Sequence, residues 1–207
     1  MTIKAIIFDL GGVILDINFE RMATTFEEEL AVESFRDYFT PLAQIDLFEQ
    51  LELGTIDPLE FYREFRKLSG HTDLSDSQIR AAWNQILTDF DPERMAWLEK
   101  LAERYPLYLF SNTNEIHVVE FEQRCLEQTG QPLSHYFKGI YYSNDLHVRK
   151  PNPGAFQRVL DLAGLTATET IFVDDNADNI MGAQQLGLQT VHLVAPQTIL
   201  DLNFDGD

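Results

Sequence analysis

Three carboxylates follow two apolar segments that have the composition of buried strands. Asp9 follows the run that begins at Ile3, and Asp174 and Asp175 follow the run that begins at Thr170. Ligands of open α/β sheets bind at the carboxyl ends of the strands, so these acids are expected to meet at one edge. Converging carboxylates need a cation, and oxygen ligands of this kind suit Mg²⁺. The sequence therefore predicts a magnesium site at this edge.

Two further segments supply groups that could hold a phosphate. Ser111 and Asn112 end an apolar run and offer a hydroxyl, an amide and backbone N–H groups at a helix start, which suits phosphate oxygens. Lys150 follows the next run and can bring a fixed positive charge into the same cleft. Each signal alone is weak, because such strand ends and helix caps are common. Their order, each at a strand end, is hard to attribute to coincidence and predicts that these groups share one site.

Five short runs rich in β-branched and aromatic residues are the predicted strands that position these groups. Their near-continuous apolar character is typical of strands buried on both faces. Helical patterns over 153–163 and 177–186 alternate with the later runs, which favours the α/β class with a Rossmann-like, doubly wound parallel sheet. The predicted strands are 3–10, 107–111, 139–142, 170–173 and 190–193.

The stretch 15–90 interrupts this alternation. It carries several amphipathic helical patterns and no convincing strand, which is typical of an inserted helix bundle. We predict a core domain made of 1–14 and 91–207, with 15–90 as a helical cap domain over the carboxyl ends of the strands. The predicted strand order is 5-4-1-2-3, which places the first and fourth strands side by side.

Composition and charge limit the classes of partner. The formal net charge of −19 argues against binding along a nucleic acid or to an anionic membrane, because both need clustered Lys and Arg. No apolar run approaches the roughly 20 residues that span a bilayer, and the first residues are unlike a signal peptide, so we expect a cytoplasmic protein. Cys125 is the only cysteine, which excludes an internal disulfide and a cysteine-rich zinc site.

The ordered motifs resemble those of the haloacid dehalogenase (HAD) superfamily, namely an Asp nucleophile, a Ser or Thr, a Lys and an acidic pair. The resemblance covers essentially the whole chain, and the insertion is similar to the superfamily's first type of cap, which typically closes over small-molecule substrates. A narrower resemblance is to the subgroup that contains bacterial α-D-glucose-1-phosphate phosphatases. It lies in the segments FDLGGVILDINFER, SNTNEIH, YYSNDLHVRKP and TIFVDDNADNIMGAQQLG.

The resemblance implies a role for each matched acid. Asp9 is expected to be the nucleophile and a Mg²⁺ ligand. The carbonyl oxygen of Gly11 and the carboxylate of Asp175 are expected to be further ligands, and Asp174 is expected to bind the metal directly or through water.

The resemblance also implies which residues hold the substrate. Ser111 and Lys150 would bind the transferring phosphoryl group as catalytic residues, and Asn112 and Asn179 would support it. The implied reaction is Mg²⁺-dependent hydrolysis of a small phosphorylated metabolite, such as a sugar 1-phosphate. It would pass through an aspartyl-phosphate on Asp9 that water then cleaves.

Gly11 departs from the pattern of most phosphatases of the superfamily, which have a second Asp at this position. That Asp donates a proton to the leaving oxygen and then activates water, a contribution of about 10² to 10⁴ in rate. Three explanations stay open: a leaving group that needs no proton, such as the anomeric hydroxyl of a sugar 1-phosphate; a substitute acid; or lost catalysis in a protein that only binds phosphometabolites. The candidate substitutes are Asp16, Asn114, His117 and His71.

Two other activities of the superfamily compete with a phosphatase. A dehalogenase shares the Asp nucleophile but needs no metal, and the adjacent Asp174 and Asp175 argue against it. A phosphosugar mutase depends on a general acid, which Gly11 removes from its usual place. The sequence indicates neither the physiological substrate nor the oligomeric state.

Overall fold

The strands that carry the predicted site residues lie in one parallel sheet. The computed structural model describes residues 3–33, 35–38 and 46–204. The strands there are β1 Ala5–Phe8, β2 Leu15–Ile17, β3 Leu87–Phe90, β4 Leu107–Ser111, β5 Gly139–Tyr142, β6 Thr170–Asp174 and β7 Gln189–His192. The sheet has the order β5-β4-β1-β6-β7. This is the predicted order 5-4-1-2-3 read from the other edge, so the predicted fold class and topology are confirmed.

The central strand β1 is buried on both faces because all four of its residues are apolar. It pairs in parallel with β4 on one side and with β6 on the other. Ile6 and Phe8 belong to one apolar cluster, and Ala5 and Ile7 belong to another on the opposite face. Alternate residues therefore hold a layer of helices on each face, as a doubly wound sheet requires.

Helices surround the sheet and fill the insertion. They are α1 Phe19–Thr24, α2 Phe35–Tyr38, α3 Asp46–Glu52, α4 Pro58–Ser69, α5 Asp76–Trp83, α6 Pro92–Ala102, α7 Glu115–Thr129, α8 Ser143–Leu146, α9 Pro153–Ala163 and α10 Ala177–Gln184. Asn114 caps α7 by accepting a hydrogen bond from the His117 N–H, and Asn176 caps α10 in the same way. These caps set where both helices begin at the carboxyl edge. None of the described helices has both the length and the apolar character needed to cross a membrane.

Residues 18–86, which we call the helical insert, have an apolar cluster of their own. Residues 34 and 39–45 of the insert lie outside the described part of the chain. Within that part, Ile116 is the one buried member of the cluster from outside the insert. Its largest fully buried side chains are Phe26, Phe35, Phe48, Phe61, Phe65 and Trp83. That 15–90 forms a separate cap domain stays a prediction.

A two-stranded antiparallel sheet joins the helical insert to the rest of the chain, whereas no strand was predicted between 15 and 90. β2 pairs with β3 through Leu15 and Phe90 and through Ile17 and Leu87, with an irregularity between the two pairs. Strands of three and four residues are too short to show an alternating pattern, which explains why the prediction was wrong.

The helical insert also contacts the core through the segment after α3. The Ser143 hydroxyl donates a hydrogen bond to the carbonyl oxygen of Glu52 (2.7 Å), and His147 Nδ1 donates one to that of Leu53 (2.8 Å). The Arg149 guanidinium lies 3.1 Å from the Glu52 carboxylate. The insert is thus connected to the core both by its two strands and by this contact beside α8.

Candidate active site

Three carboxylates meet at the carboxyl edge of the central strands. Asp9 directly follows β1, Asp174 ends β6, and Asp175 is the next residue. Because β1 and β6 are neighbours, one carboxylate oxygen from each of the three lies within 4.8 Å of the others. The Asp9 N–H donates a hydrogen bond to the carbonyl oxygen of Val173 (2.9 Å), which continues the ladder of the sheet into the site.

Lys150 places its charge between two of these acids. Its side chain is 1% exposed, and Nζ lies 2.8 Å from Asp9 Oδ1 and 2.7 Å from Asp174 Oδ2. The rings of Phe110 and Phe172 lie 5.3 and 5.2 Å from the same nitrogen. Burial alone would lower the pKa of Lys150, but Asp174 and Asp9 raise it above its ordinary value. Lys150 is therefore a fixed positive charge.

One buried lysine does not balance three carboxylates. Burial raises the pKa of Asp9 to about 7, an effect that Lys150 opposes and Asp174 strengthens. Burial, followed by the charge of Asp174, also raises the pKa of Asp175. Among the described residues, none donates a hydrogen bond to the carbonyl oxygen of Gly11. The acid cluster and this free carbonyl are hard oxygen donors with excess negative charge, so they fit Mg²⁺.

Asp174 accepts hydrogen bonds from several directions. It is fully buried, and Asn179 Nδ2 donates to both of its oxygens at 3.1 and 3.0 Å. The N–H of Asn176 donates to Oδ1 at 2.8 Å. These bonds fix the carboxylate that holds Lys150. Asn176 was not among the predicted site residues, although an Asn directly before a helix is a recognisable N-cap signal.

Asn112 acts on the backbone of Lys150. Its Nδ2 donates to the Lys150 carbonyl oxygen and its Oδ1 accepts from the Lys150 N–H, both at 2.9 Å. The amide is therefore engaged with the protein. Ser111 is buried, with 4% of the residue exposed. Within the described residues its hydroxyl makes a single marginal contact, 3.5 Å from the Asn112 carbonyl oxygen. A hydroxyl with so weak a partner can donate to a phosphate oxygen.

His117 is not a suitable general acid. It is buried, its ring stacks on Trp83 with 5.2 Å between centroids, and Nδ1 lies 2.9 Å from Asn84 Oδ1. Burial, together with the charge of Arg124, lowers its pKa to about 3. A histidine with this pKa is neutral near pH 7 and has no imidazolium proton to donate.

The other candidate acids also have different roles in the structure. Asp16 pairs with Arg94 Nη1 at 2.7 Å, and Asn114 caps α7. His71 follows α4 in the helical insert and its N–H bonds to a serine hydroxyl. In the described part of the chain, no hydrogen bond joins any candidate to Asp9 or Gly11.

Gly12 allows the close approach of Asp175, and its replacement makes a testable prediction. Its φ is +74°, and a Cβ there would overlap the Asp175 carboxylate. Gly12→Ala should therefore destabilise the fold and weaken Mg²⁺-dependent activity. Gly70→Ala is a matched control, because its φ is +75° with nothing within 4 Å. The free energy of unfolding of the control should fall only by the cost of placing alanine in a left-handed backbone conformation, about 1–2 kcal/mol. Thermal unfolding and a Mg²⁺ titration of activity measure both; equal effects in the two variants would contradict the prediction.

The fold and the site together are those of an α/β protein with a candidate active site at the carboxyl ends of the central strands. A family model described as haloacid dehalogenase-like hydrolase matches residues 3–187. The chain belongs to this family, and the predicted hydrolase class is confirmed.

Individual relatives extend this comparison. A D-ribitol-5-phosphate phosphatase of Bacteroides thetaiotaomicron is 30% identical over 188 residues, which are 91% of this chain and 90% of the relative. A sesquiterpene phosphatase of Aspergillus oryzae is 31% identical over 93% of this chain and 90% of its own length. A crystal structure of a HAD family enzyme from Bacteroides thetaiotaomicron, a mutant in complex with magnesium and inorganic phosphate, has 34% identity. Its TM-score is 0.90 over 94% of this chain and 96% of that one.

Proposed function

We propose that the chain is a Mg²⁺-dependent phosphatase that hydrolyses a small phosphorylated metabolite, a sugar or alditol phosphate. The observation that carries the proposal is the cluster of Asp9, Asp174 and Asp175 around the buried Lys150. The relative that acts on D-ribitol 5-phosphate supports this substrate class. The similar structure with magnesium and phosphate supports the cofactor.

Asp9 is the proposed nucleophile. Lys150 holds its Oδ1 at 2.8 Å, which leaves Oδ2 to attack phosphorus. The bond between Oδ2 and phosphorus forms while the bond to the ester oxygen breaks, and the electron pair leaves with the alkoxide, which takes its proton from water. Water then attacks the phosphorus of the aspartyl-phosphate and releases inorganic phosphate and the Asp9 carboxylate.

The remaining groups bind the phosphoryl oxygens or position the side chains that do so. Lys150 and the Ser111 hydroxyl bind the phosphoryl oxygens, while Asn112 and Asn179 position Lys150 and Asp174 through the hydrogen bonds described above. Asp9, the Gly11 carbonyl and Asp175 would hold Mg²⁺, and Asp174 would bind it directly or through water. The ion, when bound, makes the approach of a carboxylate to a phosphate dianion tolerable.

The absence of an acid at Gly11 favours substrates with good leaving groups. None of the candidate substitutes forms a hydrogen bond with Asp9 or Gly11 within the described residues, so we propose that the alkoxide leaves without a proton from them. A sugar 1-phosphate suits this requirement better than a 5- or 6-phosphate, whose primary alkoxide is more basic. We further propose that 15–90 acts as a cap that excludes bulk water while Asp9 reacts.

The test is a substrate comparison with Mg²⁺ and with excess chelator. The esters are an activated aryl phosphate, glucose 1-phosphate, glucose 6-phosphate and D-ribitol 5-phosphate. We expect turnover that requires the metal, with the 1-phosphate about 10-fold or more ahead of the 6-phosphate. Preference for ribitol 5-phosphate would instead indicate a general acid outside the candidates named above.

Two outcomes would contradict the proposal. Full activity in chelator would remove Mg²⁺ from the mechanism. No turnover of even the aryl ester, with retained binding of inorganic phosphate, would make the chain a phosphometabolite-binding protein.

A further inference from the structure

Ile17 is a large apolar residue that remains exposed next to the proposed site. It ends β2, and 48% of its surface is accessible. Its Cγ2 atom lies 3.3 Å from the point that a Cβ on Gly11 would occupy. Apart from the chain neighbours of Gly11, no other described atom comes within 4 Å of that point. Ile17 therefore borders the residue that lies two positions after Asp9.

The residues on either side of Ile17 are held in place. The carboxylate of Asp16 pairs with Arg94 at 2.7 Å. The N–H of Asn18 donates to the carbonyl oxygen of Ile86 at 2.7 Å, where the helical insert returns to the core. With both neighbours fixed, the backbone holds Ile17 at the junction of the insert and the acid cluster.

The polar groups that are proposed to bind the phosphoryl group do not come from this junction. The junction is therefore available to the organic part of the substrate. Asp9, Ser111 and Lys150, which are proposed to act on the phosphoryl group, come from strand ends or the segment that follows β5. We infer that the carbon skeleton of a bound ester extends away from the strand ends, toward the insert. Ile17 offers an apolar surface between the two.

We propose that Ile17 is a specificity-determining residue that packs against the first carbons of the leaving group. The inference rests on the proposed phosphatase function and narrows its substrates to esters with neutral carbon–hydrogen surface beside the ester oxygen. A carboxylate on the first carbon would lose hydration against Ile17 without gaining a partner. It would also lie near the three carboxylates of the site.

The experiment compares 2-hydroxyethyl phosphate with 2-phosphoglycolate, in which a carboxylate replaces the CH₂OH group. Wild type should prefer the neutral ester by about 10-fold or more in kcat/KM. Ile17→Ala should lose about 10-fold on the neutral ester, mainly through KM. Ile17→Lys should narrow or reverse the preference, because its ammonium group can pair with the carboxylate. Inhibition of Ile17→Ala by inorganic phosphate should match that of wild type, since phosphate has no organic part.

A second measurement tests whether Ile17 lies against position 11. A side chain at position 11 needs Ile17 to move by a few tenths of an ångström, so Gly11→Asp should lower the unfolding temperature less when Ile17 is alanine. Leu162→Ala is the matched control, because Leu162 is 57% exposed near the end of α9. It should change neither the substrate preference nor the effect of Gly11→Asp.

The outcomes separate this inference from the proposed function. Unchanged KM values and substrate preference in both Ile17 variants of an active enzyme would overturn the role of Ile17 and leave the phosphatase intact. An equal loss in Leu162→Ala, or a matching loss of phosphate affinity in Ile17→Ala, would also overturn it. A wild type without Mg²⁺-dependent turnover of any ester would overturn the proposed function, and this inference with it.

Discussion

Asp9→Asn should abolish turnover, with a loss on the order of 10⁴-fold or more in kcat, as for removal of other nucleophiles. Asparagine keeps the size of the side chain but lacks the charge that attacks phosphorus. The fold should survive, because burial disfavours the charged carboxylate at this position and raises its pKa to about 7. Initial rates with an aryl phosphate and thermal unfolding in chelator measure the two effects.

Asp178→Asn is the control for this variant. Asp178 lies on the first turn of α10, three residues after Asp175, and is exposed. It is not a member of the cluster of Asp9, Asp174 and Asp175, so its replacement should leave turnover close to that of wild type. An active Asp9→Asn enzyme would disprove the nucleophile assignment.

Lys150→Met should remove activity and destabilise the metal-free protein. The Lys150 side chain is 1% exposed and lies between Asp9 and Asp174, so methionine leaves two buried carboxylates without their positive partner. Breaking a buried ion pair in this way typically costs about 3–5 kcal/mol. The loss of a charge that faces the phosphoryl group should cost about 10²- to 10³-fold or more in kcat.

Mg²⁺ should partly restore the stability of Lys150→Met. Because the site is more negative without the lysine, the rise in unfolding temperature on adding Mg²⁺ should be larger than in wild type. Lys138→Met is the control, since Lys138 is exposed and its charge is solvated. An equal rise in unfolding temperature on adding Mg²⁺ to Lys150→Met and to wild type would contradict this prediction. It would show that Lys150 and the metal do not interact with the same carboxylates.

The strands and the acids at their ends could be predicted because each depends on local sequence. The runs that became β1, β4 and β6 are almost wholly apolar, and their burial on both faces follows from this composition. Once the strands are parallel, Asp9 and Asp174 must face the same edge. The end points differ slightly: β1 covers Ala5–Phe8 rather than 3–10, and the chain turns away from the sheet over residues 10–14.

Contacts between distant residues could not be predicted. Asn112 and Lys150 are 38 residues apart, and no pattern in either segment shows that one amide holds both the N–H and the carbonyl of the lysine. The packing of Gly12 against Asp175 likewise depends on how β1 and β6 sit together. Such pairings follow from the register of the sheet, which the residue types alone do not determine.

The short strands β2 and β3 were missed for a different reason. β2 lies between β1 and α1, and β3 lies between α5 and α6. A sheet of two strands this short, Leu15–Ile17 and Leu87–Phe90, gains its stability from its neighbours rather than from its own sequence. Ile17, at the end of β2, remains exposed. A lone exposed isoleucine carries no signal in a sequence, because single apolar residues on surfaces are common.

The contact between the helical insert and the segment after β5 has a consequence for turnover kinetics. The insert is tied covalently through β2 and β3, and it is also held by the hydrogen bonds from Ser143 and His147 to the Glu52 and Leu53 carbonyls. A swing about the two strands must first break those bonds. The frequency of that rupture is then an upper limit on how often substrate can enter and phosphate can leave by this route. If the chemical steps are fast, the breaking of these hydrogen bonds, which lie away from the reacting phosphorus, would set kcat.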